Sequence, residues 1–252
     1  MKKCKIIIIT CSIIIGLNAC GDETLREKLT PATYKVSKTS SLEKNKQVIT
    51  RIEANIAKYQ KQMAKGKDTS SLLSRAYLSL GERYIDIRDF RSAIESLESS
   101  KKYGYDTTYI YYLLAVASAN LGKEADEQTA KLLYQNAERF YKRSVELKPT
   151  YYDAWYGLAI LLFYEINTDA SKLEAITILQ KLTQQNPKHI RSRFALALFY
   201  YKTGNSAASL SEYEKLLKDL SQLRPNPVIT QYKEQCRENI TVLMAEMAGN
   251  RR

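Results

Sequence analysis

Between residues 71 and 220 one spacing of large and small residues recurs four times, and this recurrence limits the chain to stacked pairs of helices. The first unit is Tyr77-x2-Leu80-Gly81-x2-Tyr84, then Ala93-x3-Leu97-x2-Ser100. The second is Tyr111-x2-Leu114-Ala115, then Ala137-x3-Tyr141-x2-Ser144-x4-Pro149. The third is Trp155-x2-Leu158-Ala159-x2-Leu162, then Ala175-x3-Leu179-x2-Leu182-x4-Pro187. The fourth is Arg193-x2-Leu196-Ala197-x2-Tyr200, with Gly204 at a turn, then Ser209-x3-Tyr213-x2-Leu216. Steps of three and four place these residues on one face of a helix. Gly81, Ala115, Ala159 and Ala197 on each first helix let the second approach closely, and Ala93, Ala137, Ala175 and Ser209 do the same from the other side. The large residues fill the space between hairpins. Pro149 and Pro187 stop second helices and open the next unit. One such hairpin cannot bury its own apolar face, so successive hairpins must stack.

This pattern resembles the tetratricopeptide-repeat family. The resemblance implies an all-α fold, an α-solenoid of tandem TPR-like helical hairpins. The opening positions Tyr77, Tyr111, Trp155 and Arg193 lie 34, 44 and 38 residues apart. Repeats two and three thus carry extra residues, expected as longer second helices starting near Asp126 and Asp169, both good N-caps. Arg193 departs from the family by replacing an aromatic residue. Val48, Ile49, Ile52, Ile56, Tyr59 and Met63 predict an amphipathic N-terminal helix over 41–66. Ile229, Tyr232, Cys236, Ile240, Leu243 and Met247 predict a C-terminal capping helix over 226–248, covering the last hairpin as solenoids require. Nine Gly and five Pro in 252 residues fit long helices with short connections.

The N-terminus is of another kind. Lys2, Lys3 and Lys5 precede an apolar run of twelve residues, Ile6–Leu17, broken by Thr10, Cys11, Ser12 and Gly16. Twelve helical residues rise about 18 Å, short of the roughly 30 Å hydrocarbon core, so residues 1–19 read as a signal peptide. It ends in Leu17-Asn18-Ala19-Cys20-Gly21, which resembles the lipobox of bacterial lipoproteins. The resemblance implies cleavage before Cys20 and lipid attachment at Cys20, hence a membrane anchor that two or three acyl chains make effectively permanent. Gly21, where the family's inner-membrane proteins often carry Asp, implies the periplasmic face of the outer membrane ahead of the inner membrane or the cell surface. Residues 20–40 are polar and contain Pro31, as a flexible tether would. The formal charge is +12, or 12 − 3 = +9 without the signal, and residues 21–70 hold eleven Lys/Arg against six Asp/Glu. That balance suits an anionic membrane surface or an acidic partner. The export signal and the lack of a reader motif argue against nucleic acid. With Cys4 and Cys11 in the signal and Cys20 lipidated, Cys236 stands alone, and its amphipathic run makes it a small buried hydrophobe.

In tetratricopeptide proteins certain first-helix positions face the concave side. Carried over by motif position, the resemblance places Tyr112, Val116, Tyr156, Ile160, Phe163, Phe194, Leu198 and Tyr201 there, with Arg191 and Lys202 at the edge to receive a carboxylate. So apolar a face is either a binding site or is covered. The two expectations are a hydrophobic groove, and a face closed by the helix over 42–64 or by neighbouring first helices. His189, the lone histidine, reads as a turn residue. No His/Cys/Asp/Glu cluster has metal spacing, and no phosphate loop or nucleophile motif is present, so the sequence predicts no cofactor, no metal and no enzyme. The expected function is a membrane-anchored protein–protein interaction scaffold of the bacterial envelope. The alternative is a binder of a small apolar ligand or hydrophobic peptide, accessory to a transporter.

Overall fold

The computed structural model describes residues 39–249. The signal stretch 1–19, Cys20 and most of the expected tether lie outside the described residues. Among the described residues every regular element is helical. The helices are α1 (Thr39–Met63), α2 (Ser70–Asp86), α3 (Phe90–Lys102), α4 (Thr108–Glu124), α5 (Glu127–Leu147), α6 (Tyr152–Leu161), α7 (Asp169–Gln185), α8 (Ile190–Lys202), α9 (Ser206–Ser221) and α10 (Pro227–Gly249). They fall into two compact units, one ending at Asn167 and one beginning at Thr168. That division lies inside the third sequence repeat.

In the N-terminal unit, α1 lays Ile49 and Ile56 against Leu73 and Leu80 of α2, with Ile52, Tyr59 and Met63 around them. Fully burying one such aliphatic side chain is worth about 1.5–3 kcal/mol, so this face holds α1 in place. α1 begins two residues inside the expected tether. Its run ends in a turn in which Gly66 takes a φ of +80°, a conformation that costs glycine nothing. α2 and α3 form a hairpin, α4 and α5 a second, and α6 packs against α5.

The small residues act as the pattern requires. Ala93, Ala115 and Ala137 have no solvent exposure. A Cβ placed on Gly81 would meet Leu97 Cγ at 2.7 Å, and one on Gly157 would meet the Tyr141 ring at 2.5 Å, so both helix pairs touch backbone to side chain. Two buried hydroxyls repeat in register. Ser100 Oγ donates to the Ser74 carbonyl at 2.7 Å, and Ser144 Oγ donates to the Thr108 carbonyl at 2.9 Å. Each ties the end of a second helix to the start of its own first helix, three residues before the motif's aromatic position.

Side-chain caps set where second helices begin. Asp89 accepts from the Ser92 amide and Asp126 from the Thr129 amide, both at 3.1 Å. The extra residues of repeat two lengthen its second helix, as expected: α5 has 21 residues against 13 in α3. In repeat three the longer second helix starts at Asp169 as expected, and two details differ. A five-residue π-helical segment, Leu162–Ile166, extends α6, and Asn167 closes it in the left-handed region at φ 56°. The cap of α7 is Thr168 rather than Asp169. Its side chain accepts from the Ser171 amide, while Ser171 Oγ accepts from the Thr168 amide.

In the C-terminal unit α7 packs on α8, α8 and α9 form a hairpin, and α10 packs on α9. Asn205 caps α9 through the Ala208 amide, and Asn226 receives the Ile229 amide at the start of α10. Phe199, Tyr213, Leu216, Cys236 and Leu243 form its interior.

Candidate functional site

The residues carried over to a concave groove are mostly core. In the N-terminal unit Tyr112, Val116, Tyr156, Ile160 and Phe163 are 0–7% exposed. The Tyr112 ring stands edge-on to Tyr151 at 5.3 Å and tilts against Tyr141 at 6.3 Å. Tyr141 is itself fully buried, and desolvation holds its phenol well above the ordinary range, with Tyr112, Tyr156 and Tyr151 adding to the effect. In the C-terminal unit Phe194 and Leu198 are buried and Arg191, Tyr201 and Lys202 half-buried. Phe194 packs edge-on to Tyr213 and to Tyr232, both at 5.4 Å, and Tyr201 Oη donates to Glu246 at 3.2 Å. The residues covering this face of α8 therefore include Tyr232 and Glu246 of α10, not only the elements expected. An open apolar groove along these positions is corrected to packed interior: seven of the eight apolar members are buried, the eighth half-buried. The cause is tyrosine, whose large rings interleave and close the space that smaller side chains would leave.

Two other departures turn out structural. Arg193, in place of an aromatic residue, is 11% exposed and pairs with Asp219 and, at 3.8 Å, with Glu212 of α9. An ionic clasp thus replaces a ring between α8 and α9. His189 occupies the N-cap position of α8 without a side-chain bond to the helix backbone, and its Nδ1 lies 2.6 Å from Ser192 Oγ. Cys236 is wholly buried, and desolvation pushes its thiol up to about 12.

A surface site emerges where first-helix positions gave no hint. α3 and α5 part above Tyr111 of α4 and leave a cleft of about 670 Å³. Its aromatic parts are Tyr111 and Phe140, half-buried, with ring centroids 6.2 Å apart. Lys101 Nζ lies 5.1 Å from the Tyr111 ring and 5.8 Å from Phe140. The Arg139 guanidinium sits 5.4 Å over Phe140, and that of Arg143 5.9 Å over Tyr111. Cations held over ring faces in this way are attracted by the ring quadrupole. Tyr111's phenol is raised by desolvation and then by a hydrogen bond to Asp106, against the lowering pull of Lys101.

Three of the cleft's cations have a carboxylate within their own helix: Lys101 with Glu98 at 3.0 Å, Lys142 with Glu138 at 2.6 Å, Arg143 with Glu146 at 3.2 Å. The fourth, Arg139, donates to Asn136 Oδ1 at 3.1 Å. Exposed pairs one helical turn apart contribute little and exchange readily. A partner's carboxylates can take their place without leaving a buried charge. The sequence carries a signal for this site in Arg139 and Arg143, four apart on α5 with Phe140 between them. Reasoning from first-helix positions misses it, because second helices build this cleft.

No family model matches the chain. Protein O-mannosyl-transferase Tmtc3 of Drosophila melanogaster is 29% identical over 108 residues, 42% of this chain and 10% of the fly protein. The matched region thus spans a tenth of that relative's length. Among solved structures, the crystal structure of MamA is 24% identical, with 70% of this chain and 93% of MamA covered and a TM-score of 0.53. YrrB, described as a TPR protein with an unusual peptide-binding site, is 17% identical over 84% of this chain and 96% of its own, with a TM-score of 0.52. TTC0263, a thermophilic TPR protein of Thermus thermophilus, is 16% identical over 77% of this chain and 96% of its own, with a TM-score of 0.53. The fold is all-α and TPR-like, of the solenoid type.

Proposed function

We propose that the chain is a tetratricopeptide-type scaffold that binds protein partners, held at a bacterial membrane by lipid on Cys20 and exported to the periplasmic face of the outer membrane. The observation that carries the binding reading is the cleft between α3 and α5. It sets two half-buried rings among Lys101, Arg139, Lys142 and Arg143. Aromatic and arginine side chains are the groups that dominate protein interfaces. Here they lie on rigid helices, so little ordering is needed on binding. The complementary partner is a peptide segment with acidic and aromatic or aliphatic residues. That YrrB is described as having a peptide-binding site agrees with this assignment. Membrane attachment rests on the lipobox-like Leu17-Asn18-Ala19-Cys20, and the non-catalytic reading on the binding chemistry of the cleft. Burial of the eight-residue apolar face takes support from the reading as a carrier of small apolar ligands, since a ligand there would have to displace core rings.

The test is cross-linking in cells with a photoreactive residue at Gln135, at the cleft, and a control at the exposed Gln222. The expected result is a protein adduct from the Gln135 position that disappears with Arg139→Glu/Arg143→Glu. Equal labelling from both positions, or an adduct that survives charge reversal, would overturn the assignment of the cleft. Mass spectrometry of the N-terminal peptide tests the anchor separately, and an unmodified Cys20 would end that part of the reading.

A further inference from the structure

α1 and the turn after it are a basic stretch. Residues 42–68 carry Lys44, Lys46, Arg51, Lys58, Lys61, Lys65 and Lys67 against Glu43, Glu53 and Asp68. The helix sorts these charges. Ile49, Ile52, Ile56, Tyr59 and Met63 face α2. Lys44, Arg51 and Lys58 recur every seven residues, so at 100° per residue they drift only about 20° per step along the opposite face. Lys61 extends the row, and all four are exposed. From Lys44 to Lys61 the row runs about 25 Å. Gln47, Ala54 and Asn55 lie between, and no acid interrupts it. Glu53, the one carboxylate in the middle of α1, points elsewhere and accepts from Tyr84 Oη at 2.9 Å. No described carboxylate pairs with any of the four cations. Lys101, Lys142 and Arg143 of the cleft, by contrast, are each paired on their own helix.

We propose that this face of α1 docks on an anionic lipid surface, binding phospholipid headgroup phosphates by charge alone. The proposal rests on the reading of Cys20 as lipidated for one element only, proximity. Eighteen residues separate Cys20 from Thr39. Whatever their conformation, they reach no farther than roughly 65 Å, so α1 is the first described helix that a membrane anchor brings to the surface. The apolar face of α1 is already used by α2, so the helix does not insert. It rests on the headgroups, and its binding must be strongly salt-dependent. An acidic protein would also satisfy the charge. The row of four exposed cations, with an acid only at its N-terminal end, Glu43, and with no exposed ring along it, fits a diffuse planar charge better than a shaped partner.

The test uses the full chain carrying Cys20→Ser, so that acylation does not mask weak binding. Flotation is measured with vesicles of phosphatidylcholine alone and with vesicles rich in phosphatidylglycerol. The expected result is a gain on the anionic vesicles that is lost at raised salt. Each cation near such a surface is worth about fivefold in partitioning, so Arg51→Gln/Lys58→Gln should lower that gain roughly 30-fold. Lys181→Gln/Lys188→Gln, which removes two exposed cations elsewhere, should leave it nearly unchanged. The substituted side chains are exposed, so an unchanged circular-dichroism melt verifies the fold. Equal loss from both double variants reduces the effect to net charge and overturns the proposal. So does binding that ignores phosphatidylglycerol, including the case in which the row is occupied only by an acidic protein. Wild-type chain found unacylated in cells, with the vesicle result intact, would remove the anchor and leave the docking face standing.

Discussion

Gly157→Ala tests one of the two closest helix contacts in the N-terminal unit, the other being Gly122 against Tyr134. Gly157 lies in α6, where alanine is ordinarily worth about 1 kcal/mol over glycine. Here an ideal Cβ would lie 2.5 Å from Tyr141 Cε1, 2.6 Å from Cζ and 2.7 Å from Oη. Ordinary carbon contacts need about 3.5–4.0 Å, so three atoms overlap by about 1 Å each. Tyr141 has nowhere to go: it is 1% exposed, and Tyr112 packs against it. Overpacking of this kind costs about 1–3 kcal/mol, and the overlap with a rigid ring places it in the upper part of that range. After subtracting the propensity gain, the expected net loss is about 1–2 kcal/mol, read as a lower midpoint in urea at unchanged slope. The cause is isolated by Tyr141→Leu, which deletes the overlapping atoms. In that background Gly157→Ala should turn stabilising by about 1 kcal/mol, a strong coupling between the two sites. If Gly157→Ala alone is as stable as wild type, α5 and α6 do not approach this closely and the packing account is wrong.

Three further outcomes follow from particular contacts. Ser144→Ala should cost about 1–2 kcal/mol because it removes a buried bond to the Thr108 carbonyl, whereas Ser99→Ala, at an exposed hydroxyl bonded one turn back, should change the urea midpoint little. Arg88 holds a φ of 64°, and Arg88→Gly should raise stability by about 0.5–1 kcal/mol, net of its cation–π contact with Phe90 at 5.9 Å; a thermal melt that moves down instead would refute strain at this turn. Cys236 should resist a thiol reagent until the chain unfolds, because its thiol is raised from 9.0 to about 12 by burial. The unfolded chain then releases its proton first, so this contribution to stability is complete below pH 9 and declines as pH rises towards 12, and Cys236→Ala should remove that part of the decline.

Much of the fold was legible because helix pairing depends on local spacing. Gly81 against Leu97, Ala137 beneath its neighbours and Asp126 as a cap all follow from residue type and a step of three or four. Repeat three was less legible. Nothing in Leu162–Ile166 distinguishes a π turn from an α turn by periodicity, and Thr168 and Asp169 are equally good caps until the backbone chooses between them. The groove was misjudged for a physical reason. Positions taken from a motif specify which way a residue points, but not what stands opposite. Phe194 and Tyr201 meet Tyr232 and Glu246, more than thirty residues later in the chain.

The linear order of residues thus determined the helices, most of their caps and the pairing of neighbours, since each depends on residues a few positions apart. Only the tertiary structure decided which aromatic rings are interior and which remain part-exposed. That choice depends on volumes meeting across helices, as Tyr112, Tyr141 and Tyr156 fill one interior while Tyr111 and Phe140 stay half-open beside Lys101. A side chain carries its hydrophobicity with it, but its exposure belongs to its neighbours.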